Sequence, residues 1–195
     1  MAGGFFKWAA PLFARADRRW TSEDASAIAT MLLPFITEDG ALLDVGGGTG
    51  GLAVLMARAL GRAVTIIDAS PEMLSYVPAD PRVEAVRGLA DAMPFADSSF
   101  AAVLVCDAFH HFRDQDAVTR EIARVVRPGG GVLILDLDRV APWMWTVVWG
   151  ERLVGEPATF LTPDEMCSFM ARRGIDGTCR RRNGPSYSFL GAVRR

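Results

Sequence analysis

Cysteine is scarce in this sequence of 195 residues, which contains only Cys106, Cys167 and Cys179. The three cysteines lack the paired spacing of a zinc site and are too few for a disulfide framework. We therefore expect no metal site, and the pattern favours a reducing, cytoplasmic compartment. Long apolar runs are also missing, because no uncharged stretch approaches the ~20 residues that a membrane span needs. A soluble protein without stable membrane insertion is expected.

A strong net charge of either sign is absent as well. The formal net charge is -2, and 23% of the residues are charged, which is ordinary for a globular chain and gives no overall attraction to nucleic acid. Residues 171–195 are locally basic, with seven arginines against one acid. These values predict one globular domain and no nucleic-acid partner.

Strands and helices are predicted to alternate from residue 41 onward, since short apolar runs are separated by segments with helical spacing or capping signals. Such alternation predicts a parallel sheet with helices on both faces. Near the end, Thr162 and Glu165 form a capping box, and Asn183 with Gly184 marks a hairpin. The predicted fold class is α/β: a Rossmann-like, mostly parallel, seven-stranded sheet with a C-terminal antiparallel hairpin.

The chain is interpreted as one domain with four parts. Ser22 is predicted to be the N-cap of a helix that runs to about Phe35. The four parts are an N-terminal helical lid at residues 1–36, a ligand-binding core at 41–137, a lid insertion over the substrate at 139–160, and a C-terminal helix and hairpin at 163–195.

A glycine-rich loop joins the first predicted strand of the core to the first helix. Gly46, Gly48 and Gly51 satisfy the G-x-G-x-x-G pattern of dinucleotide sites, which alone is weak evidence for an NAD-type cofactor. Asp44 precedes this loop, where a dinucleotide fold would place pyrophosphate. A carboxylate there repels a pyrophosphate but attracts the sulfonium and ammonium groups of S-adenosylmethionine (SAM). The charge of the loop therefore favours SAM.

Asp68 ends the second predicted strand of the core. A carboxylate at this position can accept hydrogen bonds from both ribose hydroxyls of either cofactor, so it does not distinguish them. The alternative is that Asp68 caps the next helix, but Ser70 already suits that role. We predict that Asp68 binds a ribose.

Five segments follow one another along the core: LDVGGGTG at residues 43–50, IIDASPEML at 66–74, GLADAMPF at 88–95, VLVCDAFHHF at 103–112, and VVRPGGGVL at 125–133. In their order and spacing they resemble the motifs of class I SAM-dependent methyltransferases. The resemblance is closest to the small-molecule branch that includes the ubiquinone/menaquinone C-methyltransferases. It implies a SAM cofactor, a small-molecule acceptor and methyl transfer.

The resemblance also implies which residues bind the cofactor. Asp91 is expected to contact the adenine amino group, Met73 to pack on the adenine ring, and Leu89 and Ala90 to line that pocket through their backbone. The alternatives are that Met73 belongs to the helix core and that Asp91 caps a loop. The expected cofactor-binding set is Asp44, Gly46, Gly47, Gly48, Gly50, Asp68, Ala69, Met73, Leu89, Ala90, Asp91, Ala92, Cys106 and Asp107.

Candidate catalytic residues follow the fourth strand of the core. Asp107, His110 and His111 lie where cofactor and acceptor should meet, and a histidine could serve as general base or orient the acceptor. The alternative is that the two histidines only pack beside the cofactor. The Asn/Asp-Pro-Pro-aromatic motif of enzymes that methylate exocyclic or amide nitrogens is absent, because residues 106–109 read CDAF.

Trp143 and Trp145 are the candidate substrate residues, since they could line an apolar or aromatic pocket. They could equally pack a short helix. The sequence therefore predicts SAM-dependent methyl transfer to a small, apolar or aromatic acceptor. An NAD(P)-dependent oxidoreductase and a non-catalytic SAM-binding module stay open as alternatives, and the oligomeric state is open too, a homo-oligomer included.

Overall fold

The computed structural model describes residues 10–11, 14–15, 20–37, 39–140, 159–182 and 184–195. Two short 3-10 helices lie at Leu33–Phe35 and Phe109–His111. The longer elements, in chain order, are α1 (Ser22–Leu32), β1 (Leu42–Val45), α2 (Gly51–Leu60), β2 (Val64–Asp68), α3 (Pro71–Leu74), β3 (Val83–Arg87), β4 (Phe100–Cys106), α4 (Gln115–Val125), β5 (Val126–Leu137), α5 (Pro163–Ala171), β6 (Ile175–Arg181) and β7 (Ser186–Val193).

The strands form one seven-stranded sheet in the order β3-β2-β1-β4-β5-β7-β6. The first five strands in that order are parallel, whereas β7 runs antiparallel to both β5 and β6. This confirms the predicted mostly parallel sheet with a C-terminal antiparallel hairpin. Asn183, part of the predicted hairpin turn, lies outside the described residues. Because the order reverses between β1 and β4, the carboxyl ends of these strands border the crevice where open α/β sheets bind ligands.

The central strands are buried on both faces, and neighbouring residues serve opposite layers. Leu43 and Val45 of β1 join a core with Val118 and Ile122 of α4. On the other face, Leu42 packs with α1 and α2. Apolar residues in succession along a strand are what a sheet covered on both faces requires. The sheet thereby holds its strand ends, and the residues after them, in fixed positions.

Local signals explain how the helices begin. Thr21, not Ser22 as predicted, is the N-cap of α1: its Oγ1 accepts from the backbone N of Asp24 (3.1 Å), whose carboxylate accepts from the N of Thr21 (3.0 Å). The predicted capping box of α5 is present between Thr162 and Glu165. Each box satisfies backbone donors that the first helical turn leaves unbonded.

α1 ends at Leu32, and the chain continues as a 3-10 helix through Phe35. Pro34 has no backbone N–H to donate to the carbonyl four residues earlier, so the α-helical hydrogen-bond pattern stops here although Leu33 keeps helical backbone angles. α1 contributes Ile28 and Leu32 to the core. The assignment of residues 1–36 to a lid stays a prediction.

Acids pair with some of the arginines in the basic C-terminal segment. Arg194 binds Asp176 through two hydrogen bonds of 2.7 Å, and Arg181 binds the buried carboxylate of Asp138.

Among the described residues, no helix has the length and apolar character needed to cross a bilayer.

Candidate functional site

The loop between β1 and α2 makes a close turn that needs glycine. Gly46 and Gly48 have φ angles of 73° and 56°, a region that side chains disfavour. A Cβ on Gly46 would lie 2.7 Å from the Cβ of Ala108, and one on Gly48 would lie 3.1 Å from Cε of Met73. Gly50, also at positive φ, is the N-cap of α2. The loop therefore presents backbone, not side chains, at the crevice beside β1.

Asp44 lies directly beneath this loop. Its side chain is buried, with 2% of its surface exposed, and Oδ2 lies 2.7 Å from the position that a Cβ of Gly47 would occupy. A buried carboxylate places negative charge where its field is weakly screened by water. The loop therefore suits a cationic group better than a phosphate.

Asp68 fastens the glycine loop to the end of β2. Its Oδ2 accepts a hydrogen bond from the backbone N of Gly48 (3.0 Å), and its Oδ1 accepts one from the N of Ser70 (2.8 Å). Burial raises the pKa of Asp68 above its usual value, although these bonds oppose the shift. Ser70, not Asp68, caps α3 by accepting from the N of Met73 (3.2 Å). Each carboxylate oxygen can accept a second bond, so the group keeps its capacity for a ribose.

A second loop, residues 88–95, follows β3 beside Asp68. The backbone N of Gly88 donates to the carbonyl of Asp68 (3.0 Å), and Leu89 pairs with Ala92 in a tight turn that contains Ala90 and Asp91. Leu89 is 58% exposed, which is unusual for a large apolar side chain and suits a surface that a ligand covers. Ala69, which follows Asp68, is also exposed.

Two residues that the sequence interpretation missed hold this second loop. Glu121 of α4 accepts from the backbone N of Met93 (2.7 Å), and Arg124 donates to the carbonyls of Met93 (3.0 Å) and Phe95 (2.7 Å). The two side chains also bind each other, and this bond lowers the pKa of Glu121. In the sequence, only their spacing of three on one helix could have suggested the pair.

The carboxyl end of β4 brings two further predicted residues beside Asp44. Burial, with the negative charges of Asp107 and Asp44, raises the pKa of the Cys106 thiol well above its usual value. Asp107 is exposed and has a positive φ of 51°, a strained conformation for a residue other than glycine. Two carboxylates therefore flank the crevice between β1 and β4.

His110 is buried and held on several sides. It is 4% exposed, and its Nδ1 lies 2.6 Å from Oδ1 of Asp136 at the end of β5. The ring of Phe160 stacks on it at 4.3 Å, and the ring of His111, which is partly exposed, lies 4.1 Å away. The contact joins the imidazole of His110 directly to a buried carboxylate, which fixes the orientation of the ring.

Asp136 is another functional candidate that the sequence interpretation missed. An acid inside the otherwise apolar end of β5 is the available signal in the sequence, since a buried carboxylate requires partners.

Trp143 and Trp145, the predicted substrate residues, lie outside the described part of the chain. Among the described residues, no three His, Cys, Asp or Glu side chains group as metal ligands.

Comparison with known proteins gives consistent matches. A family model described as a methyltransferase domain matches residues 43–134. A demethylmenaquinone methyltransferase of Chlorobaculum parvum is 42% identical over 96 residues, which are 49% of this chain and 40% of the relative. A ubiquinone biosynthesis O-methyltransferase of Xanthomonas campestris is 32% identical over 185 residues, covering 81% of this chain and 76% of the relative.

A solved structure matches the whole fold. It is a chain from the complex between the Trm112 methyltransferase activator of Haloferax volcanii and a methyltransferase, with a TM-score of 0.82, 18% identity and coverage of 100% of both chains. The chain spans less than half the length of the first curated relatives that it matches, 40% in the Chlorobaculum parvum protein. Fold, motif order and the long match to the Xanthomonas protein agree, and the chain belongs to the class I SAM-dependent methyltransferases.

Proposed function

We propose that this protein transfers the methyl group of SAM to a small, apolar or aromatic acceptor. One observation supports the proposal: Asp44 is buried beneath the glycine loop, where its carboxylate would repel a pyrophosphate bound at that loop. SAM has no phosphate, and its sulfonium and ammonium groups are attracted by that charge. The alternative of an NAD(P)-dependent oxidoreductase conflicts with the same charge.

The residues around the crevice fit SAM from one end to the other. Asp68 would accept from the ribose hydroxyls, and Met73 with the turn at residues 89–92 would enclose the adenine. The glycine loop would admit the methionyl part, because its turns leave no side chain in the way. The cofactor supplies an electrophilic methyl group on a sulfonium. The protein has to bind it and align the acceptor, and such alignment is a large part of catalysis.

We assign different roles to the two histidines. The burial of His110 and its bond to Asp136 suit a positioning residue, whose ring supports the neighbouring His111. His111, which is partly exposed, is the better candidate to accept a proton from the acceptor or to orient it. Asp107 would act through its charge at the crevice. A base is needed only when the acceptor must lose a proton.

The chemistry of the acceptor is proposed from the relatives. The names of the Chlorobaculum and Xanthomonas proteins concern menaquinone and ubiquinone, so a quinone precursor or a related phenol is the proposed substrate class. Trp143 and Trp145 would line its apolar pocket. A cytoplasmic location, the absence of a nucleic-acid partner and a homo-oligomer all remain predictions.

The proposal is tested by methyl transfer itself. The protein is incubated with SAM labelled in the methyl group and with sets of phenols, quinols and amines, and the products are analysed by mass spectrometry. We expect label on a phenolic oxygen or a ring carbon, which also decides between O- and C-methylation. Tight SAM binding without transfer to any acceptor class would instead favour a non-catalytic binding module.

A further inference from the structure

Two cysteines that are distant in sequence lie in contact at the C-terminal end of the fold. Cys167 of α5 and Cys179 of β6 are partly buried, and their Sγ atoms are 2.8 Å apart. This separation exceeds the length of an S–S bond by only about 0.8 Å. We propose that Cys167 and Cys179 form an oxidisable dithiol, a modification site that closes to an intrachain disulfide.

Secondary structure fixes both cysteines independently of any bond between them. Met166 and Met170 are fully buried and hold α5 against the sheet. β6 pairs with β7, with Cys179 opposite Phe189. Closing the disulfide therefore requires little ordering of the backbone, because the fold has already brought the two sulfurs together.

Cys106 provides an internal contrast. Its thiol is buried at the end of β4 near the carboxylates of Asp44 and Asp107, whose negative charges oppose its ionisation. It lies at the cofactor crevice, whereas the cysteine pair lies between α5 and β6. An oxidant that reacts with adjacent thiols should therefore select Cys167 and Cys179.

The local environment also predicts how fast the pair reacts. Burial, followed by the contact with Cys167, raises the pKa of the Cys179 thiol. Thiolate is the nucleophile in disulfide exchange, so a raised pKa makes the reaction slow at neutral pH and faster as the pH rises. The pair should resist alkylating reagents while still closing at equilibrium.

The reaction balances with a small-molecule disulfide as the oxidant. The two thiols lose two protons and two electrons, and one S–S bond forms between their Sγ atoms. Oxidised dithiothreitol takes up the same two electrons and two protons and becomes its dithiol. The new bond would join α5 to the edge strand β6. In a reducing compartment such a bond would be transient, as redox-sensing disulfides are.

The test measures the redox equilibrium of the full chain. The native protein and the urea-unfolded protein are equilibrated with graded ratios of oxidised to reduced dithiothreitol at mildly alkaline pH and quenched with acid. Peptides are then mapped without reduction by mass spectrometry. We expect a Cys167–Cys179 cross-link. At the same ratio of oxidised to reduced dithiothreitol, the oxidised-to-reduced ratio of this cysteine pair should be at least about tenfold higher in the native protein than in urea. By linkage, the oxidised chain should also unfold at a higher urea concentration than the reduced chain.

Matched serine variants complete the test. C167S and C179S should each abolish the intrachain cross-link, whereas C106S should retain it. Equal ratios in the native and unfolded protein would overturn the proposal. Cross-links that involve Cys106 or join two chains would overturn it as well. The measurement on the unmodified chain decides the outcome even where a variant folds poorly.

Discussion

Replacing Asp68 with asparagine tests its proposed ribose contact while nearly preserving the shape of the side chain. In the folded chain the carboxylate accepts from the backbone N of Gly48 and of Ser70, and the ribose hydroxyls would be further donors. A hydrogen bond to a charged group contributes about 1.5–3 kcal/mol. Loss of that amount raises the dissociation constant of SAM about 10- to 150-fold. Asparagine has nearly the same shape but only one side-chain acceptor oxygen.

The stability of the ligand-free variant is expected to change little. Burial raises the pKa of Asp68, so the folded chain binds this proton more tightly than the unfolded chain does. The contribution of Asp68 to the free energy of unfolding therefore falls as the pH rises from the usual carboxyl pKa of ~3.9 to the folded value, and it stays low above that. Asparagine carries no charge, so it avoids the unfavourable burial of a charged carboxylate, but it loses one of the two hydrogen bonds from the backbone. These two effects change the free energy of unfolding in opposite directions.

Isothermal titration calorimetry with SAM and urea unfolding are the two assays for D68N, with E84Q on the exposed edge strand β3 as the matched control. D68N should lose affinity for SAM at nearly unchanged stability, and E84Q should change neither. SAM affinity equal to that of the unmodified chain, in a folded D68N protein, would refute the ribose assignment.

Three further predictions concern the crevice. G46A should destabilise the protein by about 1–3 kcal/mol in urea unfolding, because its φ is positive and its Cβ would meet Ala108; wild-type stability would disprove the tight turn. E121Q should lower the free energy of unfolding by about 1 kcal/mol at neutral pH, since it weakens the bonds to Arg124 and Met93. Because the pKa of Glu121 is lowered, the wild type should lose that stability as the pH falls from ~4.3 through the lower pKa of the folded chain, and a difference from E121Q that persists below the folded pKa would contradict the assignment. H111N should reduce kcat about 100-fold and D136N about tenfold, both with SAM affinity unchanged in calorimetry; a larger effect of D136N than of H111N would reverse the two proposed roles.

Most of the fold could be predicted because its signals are local. The apolar runs of β1 and β4 are typical of buried strands, and the capping box at Thr162 is enough to locate the start of α5. The N-cap of α1 was misplaced by one residue, since Thr21 and Ser22 are chemically equivalent candidates and only the bond to Asp24 distinguishes them.

The candidate site was only partly predictable for a related reason. Glycines and acids at strand ends are visible as motifs, and in the structure Asp44 and Asp68 lie next to the glycine loop. The bonds of Asp136 to His110 and of Glu121 to Met93 join residues 26 and 28 positions apart. Such contacts form only when the sheet has assembled, so no spacing of residues along the sequence indicates them. The Cys167–Cys179 contact arises in the same way.

A calorimetric comparison of cofactor binding tests the central claim most directly. The purified protein is titrated with SAM, with its demethylated product S-adenosylhomocysteine, and with NADH. The negative charge of Asp44 beneath the glycine loop predicts binding of SAM and its product with a one-to-one stoichiometry and no binding of NADH. Binding of NADH without binding of SAM would contradict the account.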